Sequence, residues 1–232
     1  MRPQSSGRGM LEAVGLSKRF GGVSALHDVS LRVASGEFVA VVGPNGSGKT
    51  TLINVISGFV KPDAGRVLLN GREVTKWPPH KRARAGLVRT FQLPQLMPGL
   101  TVYENALAAA SALSGFKRPD EARARELLEA FGLWEVRGLK IHEVSEGHRK
   151  LLDVAMAMFL RPKVLLLDEP TSSVSTADKF KVMKVIFDNL KREGVSAVFV
   201  EHDMEVVKSF AHRVVKMENG RVVGEETYVK GG

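Results

Sequence analysis

Gly43-Pro44-Asn45-Gly46-Ser47-Gly48-Lys49-Thr50 decides how the rest of this chain is read. The octet meets every fixed position of the phosphate-loop pattern G-x-x-x-x-G-K-[ST]. It also lies in the setting that pattern needs. Before it, Phe38-Val39-Ala40-Val41-Val42 predicts a short buried parallel strand. After it, Thr51-Leu52-Ile53-Asn54-Val55-Ile56 predicts a helix that Gly58 stops. The chemistry explains the residue types. A triphosphate is held by backbone N–H groups turned inward around it, and glycines let the chain wrap that closely. The following helix aims its positive end at the same phosphates. Lys49 supplies a point charge for the β- and γ-phosphates, and the Thr50 hydroxyl suits Mg²⁺. With glycine near 7% of residues, a chance match in a chain this long has odds on the order of one in a hundred. The flanking strand and helix lower those odds. The stretch is a nucleotide site.

Further along, Val164-Leu165-Leu166-Leu167-Asp168-Glu169 is a buried strand followed by two carboxylates. Ligands of open α/β sheets bind at the carboxyl ends of strands, so this strand puts Asp168 and Glu169 beside the phosphate loop. Asp168 suits Mg²⁺ through its water shell, and Glu169 suits orienting or deprotonating an attacking water. A surface acidic pair would be an even bet in isolation; the upstream phosphate loop makes it a poor one. The next strand, Ser196-Ala197-Val198-Phe199-Val200, runs into Glu201-His202-Asp203, which sets His202 at the same edge.

Antiparallel elements surround this core. Val29, Leu31 and Val33 alternate with polar residues, as in a half-exposed strand. Asn70-Gly71 and Asn219-Gly220 each sit between extended runs and predict hairpins. From Thr101 to about Gly147 the pattern turns helical. Thr101-Val102-Tyr103-Glu104 is a capping box opening a helix to about Leu113, and Pro119 and Asp120 open a second helix with Leu127, Leu128 and Phe131 in one stripe before Gly132. A further helix from about Thr176 to Glu193 ends at Gly194. The expected fold is α/β: a phosphate-loop NTPase core with a RecA-like mixed sheet, an antiparallel β subdomain and an inserted α-helical subdomain. Residues 1–232 are expected to form one domain, with the core at about 10–92 and 160–225 and the helical part at about 93–159.

Composition sets outer bounds. With 44% apolar residues in 232, the chain has material for one sizeable domain. It has no cysteine, so disulfides and thiolate metal sites are excluded, and a reducing cytosol is its natural compartment. Met1–Met10 is polar and resembles no secretory signal, and stretches such as Val154–Leu160 are too short to span a membrane. The net charge of +9 favours an anionic partner, with one local basic cluster at His80-Lys81-Arg82-Ala83-Arg84.

Over about residues 10–225 the chain resembles the nucleotide-binding subunit of ATP-binding cassette (ABC) transporters. The carrying feature is Val144-Ser145-Glu146-Gly147-His148, which stands where that family has L-S-G-G-Q, with Ser145 lying 23 residues before Asp168 (168 − 145). The resemblance implies a head-to-tail dimer in which Ser145 and Gly147 contact the γ-phosphate held by the partner. It implies ATP cradled by residues 43–51, including Thr51, with Phe20 stacked on adenine. Gln92, in Arg89-Thr90-Phe91-Gln92, matches the glutamine that meets Mg²⁺ and couples to the membrane subunit. His202 matches the histidine that senses the γ-phosphate. Lys49, Gln92, Glu169 and His202 are thus the expected catalytic set, and Thr50, Gln92 and Asp168 the expected Mg²⁺ ligands. Three departures stand out: the altered signature, Ser175 where the family has an aspartate, and Phe20 in place of the commoner tyrosine.

Two stretches resemble the branched-chain amino-acid importers in particular: residues 83–92 and Leu100-Thr101-Val102-Tyr103-Glu104-Asn105, with Val200-Glu201-His202-Asp203-Met204 in support. Importers of urea or amides share much of this. The implied partners are transmembrane permease subunits, a second cassette identical or different, and indirectly a solute-binding protein, at the cytoplasmic face of the membrane. A soluble ABC-type ATPase acting on nucleic acid is the alternative. Its coiled-coil members insert long heptad arrays before the signature, whereas 52 residues (145 − 92 − 1) separate Gln92 from Ser145 here, without heptads. Nucleic acid is therefore not an expected partner. A phosphotransferase would share the phosphate loop but not the signature or Asp168-Glu169-Pro170.

Overall fold

The computed structural model describes residues 10–92, 94–113 and 119–228. Its apolar runs sort into two sheets. The larger contains β3 (Phe38–Val42), β6 (Leu87–Arg89), β7 (Val164–Asp168), β8 (Ser196–Val200), β9 (Arg213–Glu218) and β10 (Arg221–Thr227), ordered β10-β9-β3-β8-β7-β6. All neighbours are parallel except β9 and β10, which form the hairpin over Asn219-Gly220. β3, β7 and β8 are buried at every position, which is why their sequences are unbroken apolar runs. Period-two alternation divides them between two cores. Phe38, Ala40, Leu165, Leu167 and Phe199 face one apolar cluster; Val39, Val41, Leu166 and Val198 face the other.

The second sheet, β2-β1-β4-β5, is antiparallel and is built from β1 (Leu11–Phe20), β2 (Val23–Val33), β4 (Ala64–Leu69) and β5 (Arg72–Glu73). β2 buries Leu26, Val29, Leu31 and Val33, the alternation visible in its sequence. Asn70 and Gly71 both have positive φ, as the two-residue turn between β4 and β5 requires. This sheet covers one face of the parallel sheet together with α1 (Lys49–Ser57).

The opposite face carries α3 (Val102–Leu113), α4 (Glu121–Ala130), α5 (Glu146–Met158), α6 (Thr176–Arg192) and α7 (Met204–Phe210). The capping box at Thr101 forms: its N–H donates to Glu104 Oε2 at 2.8 Å, and Glu104 N–H donates to Thr101 Oγ1 at 3.2 Å. Asp120 caps α4 by accepting from Arg123 N–H at 3.0 Å, and Leu127, Leu128 and Phe131 are buried as their spacing predicts. No helix among the described residues is long and apolar enough to cross a membrane.

The basic cluster at residues 80–84 corresponds to a short helix, α2 (Pro79–Arg84), and one of its charges is not at the surface. Arg82 is 1% exposed. Its guanidinium donates to Val55 O (2.8 Å), Ile56 O (2.5 Å), Thr75 O (2.7 Å) and Trp77 O (3.0 Å). Two of these acceptors, Val55 O and Ile56 O, belong to the last turn of α1, where Arg82 adds a buried cation to the cap that Gly58 N–H makes. Burial pushes its pKa down to about 10, still charged at neutral pH. The cluster therefore presents fewer charges to solvent than its sequence suggests.

Candidate functional site

Strand register brings the expected residues to one edge. β3 pairs with β8 as Val41↔Val200, and β7 pairs with β8 as Asp168↔Val200. The chain leaves all three strands at that level into the phosphate loop, Glu169 and His202. The loop's glycines are demanded by close approach. A Cβ on Gly43 would lie 2.1 Å from Met217 O, and one on Gly48 would lie 2.6 Å from Ala25 O; both residues have positive φ. Pro44, Asn45 and Gly46 are exposed at the loop's crest. Lys49 and Thr50 then open α1 with Gly48 as its N-cap.

Lys49 is buried, and its ammonium folds back on the loop, donating to Gly43 O at 2.7 Å and Pro44 O at 2.9 Å. Burial lowers its pKa, an effect opposed by Glu169 and Asp168. The buried Ser47 hydroxyl has no hydrogen-bond partner. A buried polar atom left unsatisfied in a cradle of small residues fits a loop built around an external acceptor such as phosphate. Thr50 is exposed and Thr51 half-buried at the start of α1. The residues present thus fit a nucleoside triphosphate. They also fit Mg²⁺, which Thr50 and Asp168 would hold, although no group of three or more metal-binding side chains occurs among the described residues.

Asp168 is buried and pairs with Arg89, whose Nη2 lies 3.1 Å from Oδ2. Burial raises the Asp168 pKa, and Arg89 partly offsets the rise. Glu169 adopts φ +50°, unusual for a non-glycine residue. Gln92 Nε2 donates to its Oε2 at 2.7 Å, and His202 Nε2 lies 2.9 Å from its Oε1. Gln92, Glu169 and His202 thus form one hydrogen-bonded unit beside Asp168.

Phe20 lies at the end of β1, opposite Val23, and is 50% exposed with Lys18 Nζ 5.4 Å from its ring centre. Ala25, two residues past Val23, abuts Gly48, so the hairpin tip bearing Phe20 flanks the phosphate loop. Ser145 and Gly147 lie elsewhere. They line a cleft of about 420 Å³ between the N-terminus of α5 and α6, with His148 and Ser175. Ser145 is the N-cap of α5. Glu146, the unexpected carboxylate, turns along the helix to Arg149 at 3.3 Å.

Three positioning residues escaped the motif reading. Arg89 donates to Asn54 Oδ1 and Asp168, tying α1 to the carboxyl end of β7. Lys150 is buried and donates to Gln92 O and to Ser172 Oγ at 2.9 Å, joining α5 to both site loops. Glu201 is buried, accepts from Thr171 N–H at 3.0 Å and from the Thr171 hydroxyl, and so fixes the loop after Glu169 against His202. Arg89 and Glu201 stand inside motifs already quoted, and Lys150 two residues beyond one. Nothing in composition distinguishes them from solvated surface charges.

Residues 26–172 match the family model described as ABC transporter. The chain is 38% identical to the probable branched-chain amino acid transport ATP-binding protein LivG of Archaeoglobus fulgidus, over 93% of this chain and 88% of that protein. It is also 38% identical to the spermidine/putrescine import ATP-binding protein PotA of Chromobacterium violaceum, over 92% of this chain but only 58% of that longer protein. Among solved structures, a dimeric ATP-binding cassette in a post-hydrolysis state bound to ADP and Pi matches with TM-score 0.80 and 27% identity, covering 96% of this chain and 100% of that one.

Proposed function

The chain belongs to the ABC transporter family, and from that premise we propose that it powers uptake of branched-chain amino acids through separate membrane subunits. It is the ATP-binding, ATP-hydrolysing subunit of an importer. The solute is the proposed part. Support comes from residues 83–92 and 100–105, and from the near-complete length match to a relative named for branched-chain amino acid transport. The polyamine importer subunit matches equally in identity over a smaller share of its length.

The observation that carries the hydrolytic reading is the Gln92–Glu169–His202 unit next to a complete phosphate loop. Glu169 is the proposed general base. With one oxygen engaged by an amide and the other by an imidazole, its carboxylate is fixed to receive a proton from water attacking the γ-phosphate. Lys49 is proposed to leave the Gly43 and Pro44 carbonyls for the phosphates, where its charge acts on the transferring group. Mg²⁺, when bound, would neutralise phosphate charge; Thr50 and Asp168 are its proposed ligands, with Gln92 beside them. Phe20 is the proposed adenine platform. In this reading residues 10–92 and 160–225 form the nucleotide core and 93–159 the helical part. The signature cleft lies apart from this chain's own phosphate loop, which supports a head-to-tail partner whose γ-phosphate meets Ser145 and Gly147. Attachment to permease subunits at the cytoplasmic face, with a solute-binding protein upstream, completes the proposal.

Two measurements test it. Lys49→Ala is expected to abolish ATP turnover, and near-parental activity in a contaminant-free preparation would refute the site. For the solute, the chain co-purified with its membrane subunits is expected to hydrolyse ATP faster when a branched-chain amino acid and the binding protein are present. Stimulation by a polyamine instead would reassign the importer.

A further inference from the structure

We infer that His148 sets the hydrogen-bonding polarity of the Ser145 hydroxyl, and so makes the signature cleft's grip on a phosphate depend on proton uptake. The inference rests on the proposed reading in which Ser145 faces the γ-phosphate held by a partner cassette. Ser145 Oγ accepts the backbone N–H of His148 at 3.3 Å and lies 3.0 Å from His148 Nδ1. A serine hydroxyl has one proton to donate and two lone pairs to accept with. One lone pair is committed to the backbone. What happens at the other contact depends on the ring.

If Nδ1 carries a proton, it donates to Oγ and fills the second lone pair. The hydroxyl proton must then point away from the ring, into the cleft. If Nδ1 is bare, the link can form only by Oγ–H donating to it, and the cleft is left with no hydroxyl donor. Phosphate oxygens at the site are acceptors, so only the first arrangement offers them a hydrogen bond. The neutral Nδ1–H tautomer and the imidazolium both satisfy it, but only proton uptake removes the bare-Nδ1 tautomer altogether and adds a positive charge, which an adjacent phosphate favours.

The charged groups on both walls of the cleft beside His148 are already paired. On its own helix, Glu146 is paired with Arg149 at 3.3 Å. From α6, Asp178 accepts from Ser175 Oγ at 2.7 Å and lies 3.8 Å from Lys181. These are two opposite-charge pairs on the two walls of the cleft. Glutamine, usual in the related signature, is a neutral amide that donates at every pH. Histidine changes charge between about pH 5 and 8.

The sign follows from linkage. If the nucleotide-bound dimer favours protonated His148 more than the separated chains do, closure takes up a proton and strengthens as pH falls. The test uses the full chain carrying Glu169→Gln to suppress hydrolysis, with ATP and Mg²⁺, and reads dimer dissociation by analytical ultracentrifugation at pH 6, 7 and 8. The dissociation constant is expected to rise by about tenfold or more from pH 6 to pH 8, within the limit of about tenfold per pH unit for each of the two His148 protons linked to closure of a homodimer. The readout is the difference made by His148→Gln, which is expected to flatten most of that slope while retaining a dimer. Parallel slopes in parent and His148→Gln would overturn the inference while leaving the site reading intact. Ser145→Ala separates the two: it is expected to weaken the dimer at every pH. Dimerisation unaffected by Ser145→Ala would overturn the reading on which the inference stands. As a check independent of dimer strength, ¹⁵N resonances of the His148 ring should shift from a neutral to an imidazolium pattern on adding ATP and Mg²⁺ at pH 7, and an unchanged ring would refute the inference.

Discussion

Glu169 shows at the scale of one residue how this site is prepared. Its φ of +50° is uncommon for a carboxylate residue, and the conformation is held by Gln92 and His202, each on one oxygen. Glu169→Gln keeps the shape and one acceptor while removing the proposed base. Steady-state ATP turnover should fall by about 10²–10⁴-fold with nucleotide affinity retained, as expected for loss of a general base. Turnover matching the parent would reassign the role. Asp153, half-buried on α5, gives a prediction in pH. Burial pushes its pKa up to about 6, although it accepts from the backbone N–H groups of Gln95 and Phe91 and faces Lys150. A carboxyl whose folded pKa exceeds its unfolded value binds more protons when folded. Its contribution therefore falls as pH rises from about 4 to about 6, by at most about 3 kcal/mol. Asp153→Asn should remove that decline, so its unfolding free energy should exceed the parent's at pH 7 but not at pH 4. Urea titrations at both values measure this; equal differences at both would refute it. The two residues also differ in legibility. Glu169 could be read from the sequence because a fixed strand-end spacing announces it. Asp153 could not, because its environment is made by residues some sixty positions upstream, in the loop around Gln92.

Among the elements, those with periodic or punctuated sequences were legible and those made by tertiary contact were not. The runs at β3, β7 and β8 are long enough to be buried on both faces, and the Asn-Gly turns fix their hairpins locally. β6 is three residues long and α2 six, too short for any period to show. α2 is held by the contacts of Arg82 with four carbonyls, two of them in the buried last turn of α1. Arg82→Met keeps the apolar stem and removes every donor. It should destabilise the fold by about 3 kcal/mol, since several buried carbonyls lose a charged partner, each such loss costing about 1–3 kcal/mol before relaxation. Chemical denaturation should show a lower midpoint with an unchanged slope. Stability within about 0.5 kcal/mol of the parent would mean that water replaces the guanidinium. Because α1 begins at Lys49, its loosening should also weaken ATP binding, linking a buried cation at one end of the helix to the phosphate site at the other.

For the whole molecule, the asymmetry between the two halves of the site sets the final expectation. The residues proposed to act on this chain's own nucleotide are all present: Lys49, Thr50, Gln92, Asp168, Glu169 and His202. Those proposed to serve a partner depart from the family pattern at Val144, Glu146, His148 and Ser175. The structure refines which alterations matter. Glu146 is turned to Arg149, and both side chains are about a third exposed, so its charge is already compensated and further screened by solvent. Ser175, lacking a carboxylate, instead donates to Asp178 on its own helix. The deficit is therefore expected in what His148 and Ser175 supply rather than in repulsion from Glu146. A heterodimer would place an intact signature against this chain's complete hydrolytic set and leave the weak signature facing only the partner's site. ATP turnover by this chain alone should be slow. It should rise several-fold when a second cassette with an unaltered signature is titrated in, and the rise should be lost when the added cassette carries a serine-to-alanine change in that signature. Glu146→Gly in the chain alone should change turnover by less than about threefold, the scale of the weak exposed pair it removes. A large acceleration would show that the carboxylate does repel the γ-phosphate, and vigorous turnover unaffected by any second cassette would show that two copies of this chain suffice.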